Sequence, residues 1–446
     1  MKTRSAIHQI GAFRRFSVVF CALSATFLAG LAIAQQTTSS TAGSDASAAI
    51  VRLKRELPAA HSVAVRKFWT EVARTGAPLI EPVPGDKDYS FVTFLWRGAD
   101  DTRNVVIFDG VAAFDAKDRM QRVANTDVWY KTYRVRNDAR FAYNLSPNDS
   151  LEPFDHVKGD DKMKQRLAFF RPDPLNPRHC PTTFGAYGAD SSYVELPNAG
   201  PLLWESNTAG IPQGNLTETR IHSELLHRDK KLWVYTPAGF HNGHEQYPLL
   251  VLFDGDRNSM WMPKVLDLMI ARRQIPPMVA VMTDESTPSI RNSELPCNPE
   301  FADFLASELV PWARNRYSVT SSPQRTIVAG SSYGGLASVF AGLRHPEVFG
   351  NVISLSGSFW WKPEGNAQSE WLVHQAAISP KRPLRFYLEV GLMEVGASVD
   401  QVGANRRMHQ ALNATGYPTG YAEYDGGHSF LNWSEGMVHG LKYLMR

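Results

Sequence analysis

From residue 62 to 75 the apolar positions Val63, Val65, Phe68, Trp69 and Val72 fall on one stripe of a helix. The pattern then changes period. Stretches at 89–96, 104–108, 128–135 and 139–145 alternate apolar with polar or aromatic positions, which predicts strands with no helix between them. Strands joined directly imply antiparallel sheets, so this half is predicted to be a small β-sandwich. A stretch rich in Pro, Gly and Asn, 197–215, interrupts the pattern and marks a boundary. Beyond it, short apolar runs at 247–253, 277–282, 326–329, 352–355 and 384–389 alternate with helical stretches at 301–314, 336–343 and 401–415. Strand alternating with helix predicts an α/β domain whose mostly parallel sheet is covered on both faces. No internal repeat is present, which excludes solenoids and propellers.

The first residues follow a different pattern. Lys2, Arg4, Arg14 and Arg15 precede an apolar run, 16–34, that closes on the small-residue sequence Ala32-Ile33-Ala34. This is the pattern of a cleaved signal peptide, and it predicts a periplasmic protein with no integral membrane segment after cleavage. Residues 35–50 lack periodicity and are predicted to be a flexible tether. The expected division is therefore 1–34 signal, 35–50 tether, 51–205 β-sandwich and 216–446 α/β domain. A chain of 446 residues exceeds one ordinary core, so two cores are expected.

Charge adds one exclusion. The chain carries 47 Lys+Arg against 44 Asp+Glu, and four of those bases with no acid lie in the leader, so the remainder stands at 43 against 44, or −1. Nothing basic is left to argue for nucleic acid. Two cysteines remain after the leader, Cys180 and Cys297, in a compartment that permits a disulfide. No His, Asp or Cys cluster has metal-ligand spacing, so neither a metal nor another cofactor is expected.

The sharpest chemical signal is Thr326-Ile-Val-Ala-Gly330-Ser331-Ser332-Tyr333-Gly334-Gly335-Leu336. An apolar strand runs into a G-x-S-x-G turn and then into a helix of small residues, the context of a nucleophile elbow. Glycines at 330 and 334 are expected because a Cβ there would crowd the neighbouring strand and helix. Ser332 is then the candidate nucleophile, at a helix N-terminus that favours developing negative charge. An alkyl hydroxyl needs a base, and in this fold the chain order is Ser, acid, His. His428 fits that order, in Asp425-Gly-Gly-His428 at the end of a strand. For the acid, Glu394 after the strand 384–389 is the first candidate and Asp400 the second, with a Ser–His dyad as the remaining possibility. The oxyanion hole is expected from the backbone N–H of Tyr333 and an amide of the Asp254-Gly255-Asp256 loop, where Gly255 would allow close approach.

Several blocks resemble the enterochelin (enterobactin) esterase family, members of the esterase-D-like α/β-hydrolases. These are Arg291-Asn-Ser-Glu294-Leu-Pro-Cys297-Asn298, Gly330-Ser-Ser-Tyr-Gly-Gly335, Leu355-Ser-Gly-Ser-Phe-Trp360-Trp361 and Asp425-Gly-Gly-His428, in the family's order. In the first half, Phe68-Trp69, Val92-Thr-Phe-Leu-Trp96-Arg97, Asn125-Thr-Asp-Val-Trp129 and Asp173-Pro-Leu-Asn-Pro177 look like the family's accessory β domain. The resemblance implies a serine esterase that cuts the trilactone of ferric enterobactin or a related catecholate siderophore. Such a complex is an anion with aromatic rings, so Arg291, oriented by Glu294 or Asp284, and Arg257 are expected to supply charge, and Trp361 or Trp360 a flat face. The chain departs from the family after His428, where Ser429 and Ser434 replace an acid and an arginine, and in the Asp256-Arg257-Asn258 turn. The competing readings are another esterase or acyltransferase of the same fold, and a non-catalytic siderophore- or glycan-binding protein.

Overall fold

The computed structural model describes residues 39–41, 46–112, 118–153, 156–157, 160–180, 190–243, 246–285, 287–396 and 399–445. The expected signal peptide and half of the expected tether, 35–38 and 42–45, lie outside these residues. Within the tether, Ser39–Thr41 (β1) pairs with a later strand, and a helix, Ala48–Thr75, begins at the Ser47 N-cap. The helix thus starts 14 residues before the periodic stretch; its first half, interrupted at Pro58 and Ala60, buries only Ile50 and Leu53 and so shows little apolar periodicity.

The remaining strands of the first half are β2 (Leu79–Val83), β3 (Asp86–Arg97), β4 (Val105–Phe108), β5 (Gln121–Arg122), β6 (Val128–Arg136), β7 (Arg140–Pro147), β8 (His179–Cys180) and β9 (Ser191–Glu195). They form two sheets, ordered β1-β6-β3-β2 with β5 on β6, and β4-β7-β9-β8, and every pairing is antiparallel. The alternation of side chains along a strand decides what each face meets. Trp129, Tyr133 and Val135 of β6 share a buried cluster with Phe141, Tyr143 and Leu145 of β7. Val128 and Tyr130 point the other way, onto Phe68, Trp69 and Val72 of the long helix.

The second half builds one eight-stranded sheet from β10 (Asn215–Ser223), β11 (Arg228–Thr236), β12 (Leu249–Leu252), β13 (Val279–Thr283), β14 (Thr326–Ser331), β15 (Asn351–Leu355), β16 (Arg385–Gly391) and β17 (Thr419–Tyr424). The order is β10-β11-β13-β12-β14-β15-β16-β17, parallel from β13 to β17. The leading pair β10 and β11 is antiparallel and adds two strands to those expected: β10 is mostly polar, and the apolar run of β11, Leu232-Trp233-Val234-Tyr235, follows four charged residues. Among the described residues no helix is long and apolar enough to cross a membrane. Cys180 and Cys297 are both buried and free, so they do not pair.

The halves meet through the second face of β7. While Phe141, Tyr143 and Leu145 fill the sandwich, Ala142 joins a cluster containing Trp261, Phe430, Trp433 and Leu355 of the second half. Arg140, on the same side, is 3% exposed and pairs with Glu195 and with Glu435 at 2.8 Å. Its backbone N–H donates to Asp425 O (3.1 Å) and its carbonyl accepts from Asn432 Nδ2 (2.8 Å). A two-sided strand leaves no gap at the Pro-rich break, and residues Thr38–Arg446 are one compact unit. Truncating Arg140 would take from Glu435 its arginine and leave Glu195 with Arg178 alone. Arg140→Ala is therefore expected to lower unfolding stability by about 3 kcal/mol in a urea titration.

Candidate active site

The site grows from the C-terminal ends of four parallel strands. Strand β14 stops at Ser331, and Ser332 turns into the helix Tyr333–Arg344 with φ 58° and ψ −120°. A side chain held at that φ costs of order 1–3 kcal/mol, and here it lifts the hydroxyl off the sheet. Two glycines permit the turn. A Cβ on Gly330 would lie 2.6 Å from the backbone of Gly334, and one on Gly335 2.7 Å from Ser354 Oγ. At Gly334 the nearest atom would be a Phe253 ring carbon at an ordinary 3.5 Å, so the crowding expected there belongs to Gly335.

His428 lies in the loop between β17 and the helix Phe430–Leu444, and Glu394 in the turn after β16. Ser332 Oγ stands 2.9 Å from His428 Nε2, and His428 Nδ1 stands 2.6 Å from Glu394 Oε2. A carboxylate only accepts, so Nδ1 carries the proton and Nε2 is left to accept the serine hydroxyl. The arrangement can move a proton from Ser332 to His428 and hold the imidazolium that results.

Glu394 is only 1% exposed at its side chain, and its other oxygen is fully engaged. Oε1 accepts from Ser356 Oγ (2.5 Å), Gly391 N (2.8 Å) and Tyr424 OH (3.3 Å). Burial, reinforced by the Glu394 charge, pushes the Tyr424 phenol well above its ordinary range, so it stays a donor. Trp433 connects both partners: its ring meets the His428 ring edge-on at 4.7 Å, and its Nε1 donates to Ser356 Oγ (2.9 Å). Asp400 is elsewhere, capping the helix Gln401–Ala414 and pairing with Arg407 at 2.8 Å. Ser356, Tyr424 and Trp433 were not singled out from sequence; Ser356 sits inside the Leu355-Ser-Gly-Ser block, but only the fold brings it to Glu394.

The oxyanion loops adjoin because β12 and β14 are parallel neighbours in register Leu252↔Ala329. Tyr333 opens one helix, and Gly255 and Asp256 open another, Gly255–Asn258, after Asp254 at φ 53°. First-turn amides have no intrahelical acceptor, so these are available donors at the same sheet edge. The missing Cβ of Gly255 faces Thr283 O at 2.8 Å: the close approach it permits is to strand β13. Asp256 keeps a buried Oδ1 without a hydrogen-bond partner among the described residues, and burial raises its carboxyl to about 6 against the pull of Arg257.

The expected substrate residues separate. Arg291 directs Nε and Nη2 onto the two oxygens of Asp254 (2.7 and 3.0 Å) and also reaches Ser331 O (3.3 Å), so its fork clamps the loops together from behind. Glu294 does not orient it. Glu294 is buried with Lys230 (2.7 Å) and Arg228, because Lys230, 1% exposed, needs both Glu294 and Glu285 to be tolerated in the interior. Asp284 likewise serves this cluster, accepting from Lys230 Nζ through its carbonyl (2.6 Å). Trp360 is tied to Gln401 (2.6 Å), and Trp361 packs edge-on against Trp371; both are half-buried at the core margin. Arg257 differs, with its side chain 29% exposed, only a 3.7 Å contact to Asp256, and its guanidinium 5.1 Å from the ring of Phe430, two residues past His428.

A parallel sheet that raises a serine on a strained elbow and backs it with an imidazole held by a buried carboxylate defines an α/β-hydrolase. Comparison with known proteins narrows the class. The Esterase family model matches residues 223–444, and the enterochelin esterase N-terminal model matches 91–204. The chain is 31% identical over 414 residues to an iron(III) enterobactin esterase of Dickeya dadantii, covering 85% of this chain and 92% of that protein. It is 28% identical to an iron(III) salmochelin esterase of Escherichia coli, covering 89% and 97%. A crystal structure of the Shigella flexneri enterobactin esterase in the presence of enterobactin superposes with a TM-score of 0.67 at 29% identity, covering 85% and 97%. The chain belongs to the enterochelin esterase family and is a carboxylic ester hydrolase.

Glu394→Gln keeps shape but places an amide against His428 Nδ1–H, which favours the wrong tautomer. A fall in kcat of about 10³–10⁴-fold is expected on a nitrophenyl ester, while Asp400→Asn should leave kcat unchanged. Equal effects of the two would remove Glu394 from the relay.

Proposed function

We propose that this protein hydrolyses the trilactone ester bonds of ferric enterobactin or a related catecholate siderophore, which weakens the iron complex and releases the metal. The observation that carries the reading is the Ser332–His428–Glu394 relay, in a chain 31% identical over 85% of its length to an iron(III) enterobactin esterase. Ser332 Oγ attacks the ester carbonyl as its proton passes to His428 Nε2, and the tetrahedral oxyanion forms against the amides of Tyr333 and the Gly255–Asp256 turn. Collapse breaks the ester C–O bond; His428 returns the proton to the leaving alkoxide, and water then cleaves the acyl-enzyme by the same route. Arg257 supplies positive charge to the anionic catecholate, a reading supported by its weak pairing and its place beside Phe430. The leader pattern of residues 1–34 supports export, so we place this hydrolysis in the periplasm.

The test is turnover of ferric enterobactin by the purified protein, with products followed by mass. Ser332→Ala should abolish ester cleavage and leave binding of the ferric complex intact, because the hydroxyl performs the covalent step. Cleavage at the wild-type rate would move the nucleophile elsewhere. Among the arginines, Arg257→Ala should raise KM for the ferric substrate tenfold or more while sparing a neutral nitrophenyl acetate. Arg291→Ala should instead lower stability by about 3–5 kcal/mol and damage both activities alike, since it strands Asp254. Reversed signatures would exchange the two roles.

A further inference from the structure

The N-terminal β region brings one more carboxyl to the active site. Asp109 follows β4 in a turn of two left-handed residues, Asp109 at φ 70° and Gly110 at φ 59°. An aspartate in that conformation is uncommon and must be held by its surroundings. Gly110 is required because a Cβ there would lie 2.3 Å from the Phe141 ring. Across the seam Gly427, immediately before His428, is bare for the same reason: its Cβ would lie 3.1 Å from Asp109 Oδ1 and from Gly110 Cα and N. Two glycines on opposite halves thus let this turn press against the histidine loop.

The carboxyl itself is only partly satisfied. Asp109 is 4% exposed; Oδ1 accepts from Gly110 N (2.7 Å), and Oδ2 is buried without a hydrogen-bond partner among the described residues. Leaving such an oxygen unpaired carries a desolvation cost that apolar packing in the same place would avoid. The nearby groups are limited. His428 and Glu394 interact with it from the hydrolase half. Cys180 on β8 is neutral at ordinary pH because burial, and then the Asp109 charge, push its thiol to about 12. Arg140 is taken up by Glu195 and Glu435, and Asp425 by Arg136 at 2.7 Å.

We propose that Asp109 is a positioning residue that acts through His428, a second carboxylate that stabilises the imidazolium formed when Ser332 gives up its proton. Glu394 does so by a hydrogen bond and Asp109 through space across the seam. Burial raises the Asp109 carboxyl to about 7 against the pull of the Gly110 amide and of the His428 charge, so above that pH it stands as a carboxylate behind the histidine loop. The sign follows: a carboxylate nearby favours the imidazolium that forms during turnover, and removing it disfavours that state. The accessory β region is then part of the proton-transfer apparatus as well as a support.

The proposal rests on the Ser332–His428 reading, and its test separates the two. In Asp109→Asn the acid limb of the kcat/KM profile on nitrophenyl acetate should move to lower pH by about half a unit or more. Plateau kcat should fall about threefold with KM unchanged, the rate equivalent of half a unit of lost imidazolium stabilisation. A profile that superimposes on the wild type, with or without a lower melting temperature, overturns the proposal. Should the Asn variant not fold, NMR of the His428 ring carbon in Ser332→Ala protein decides it. Two inflections are expected, one from the imidazole and one near pH 7 from Asp109, and a single inflection overturns the proposal. Ester cleavage surviving in Ser332→Ala would sink the triad reading instead.

Discussion

A carboxylate almost wholly withdrawn from water must be met by donors on every side, and Glu394 sets that demand on the active site. It is met by His428, Ser356, the Gly391 amide and Tyr424, which come from four different places in the chain. Each donor fixes a loop: the turn after β16, the turn after β15, the end of β17 and the histidine loop. Because the Trp433 indole engages the His428 ring and Ser356 together, a shift in any one of these loops breaks contacts in the others. The relay distances are a consequence of this closure.

The loops that hold the relay also touch the other half of the molecule. Met393, beside Glu394, is 2% exposed and lies in the sandwich cluster with Phe94 and Tyr143. On the base side, Asp425, Asn432 and Glu435 are bound by Arg136 and Arg140. The β region therefore constrains acid and base loops at once, which gives an accessory domain a physical role at a distance from the nucleophile.

Behind the oxyanion turns a second buried charge system does the same work with different residues. Arg291 pairs with Asp254, whose amide donates to Glu285 (2.8 Å); Glu285 and Glu294 surround Lys230. Such a chain fixes geometry at little net gain in stability, since every ion in it has lost its water. Arg257, 29% exposed and with only a 3.7 Å contact to Asp256, stands outside this chain of ion pairs.

Much was legible in the sequence, where a local pattern has a local cause. Buried parallel strands must be short apolar runs, and the elbow must carry glycine where strand, turn and helix cross within a few residues, so β12 to β16 and Ser332 could be read directly. His428 followed from chain order and a Gly-Gly loop. Glu394 ranked ahead of Asp400 from its place at a strand end, but deciding between two carboxylates after β16 needed the fold, which sets Glu394 2.6 Å from His428 and Asp400 at a helix N-cap. The β10–β11 pair, the two-sided role of β7 and the partner of Arg291 were likewise decided by packing. Sequence spacing records which residues share a helix face or strand face. It does not record which of several like charges will stand together once chain segments 292 residues apart, such as Arg140 and Asn432, close on one another.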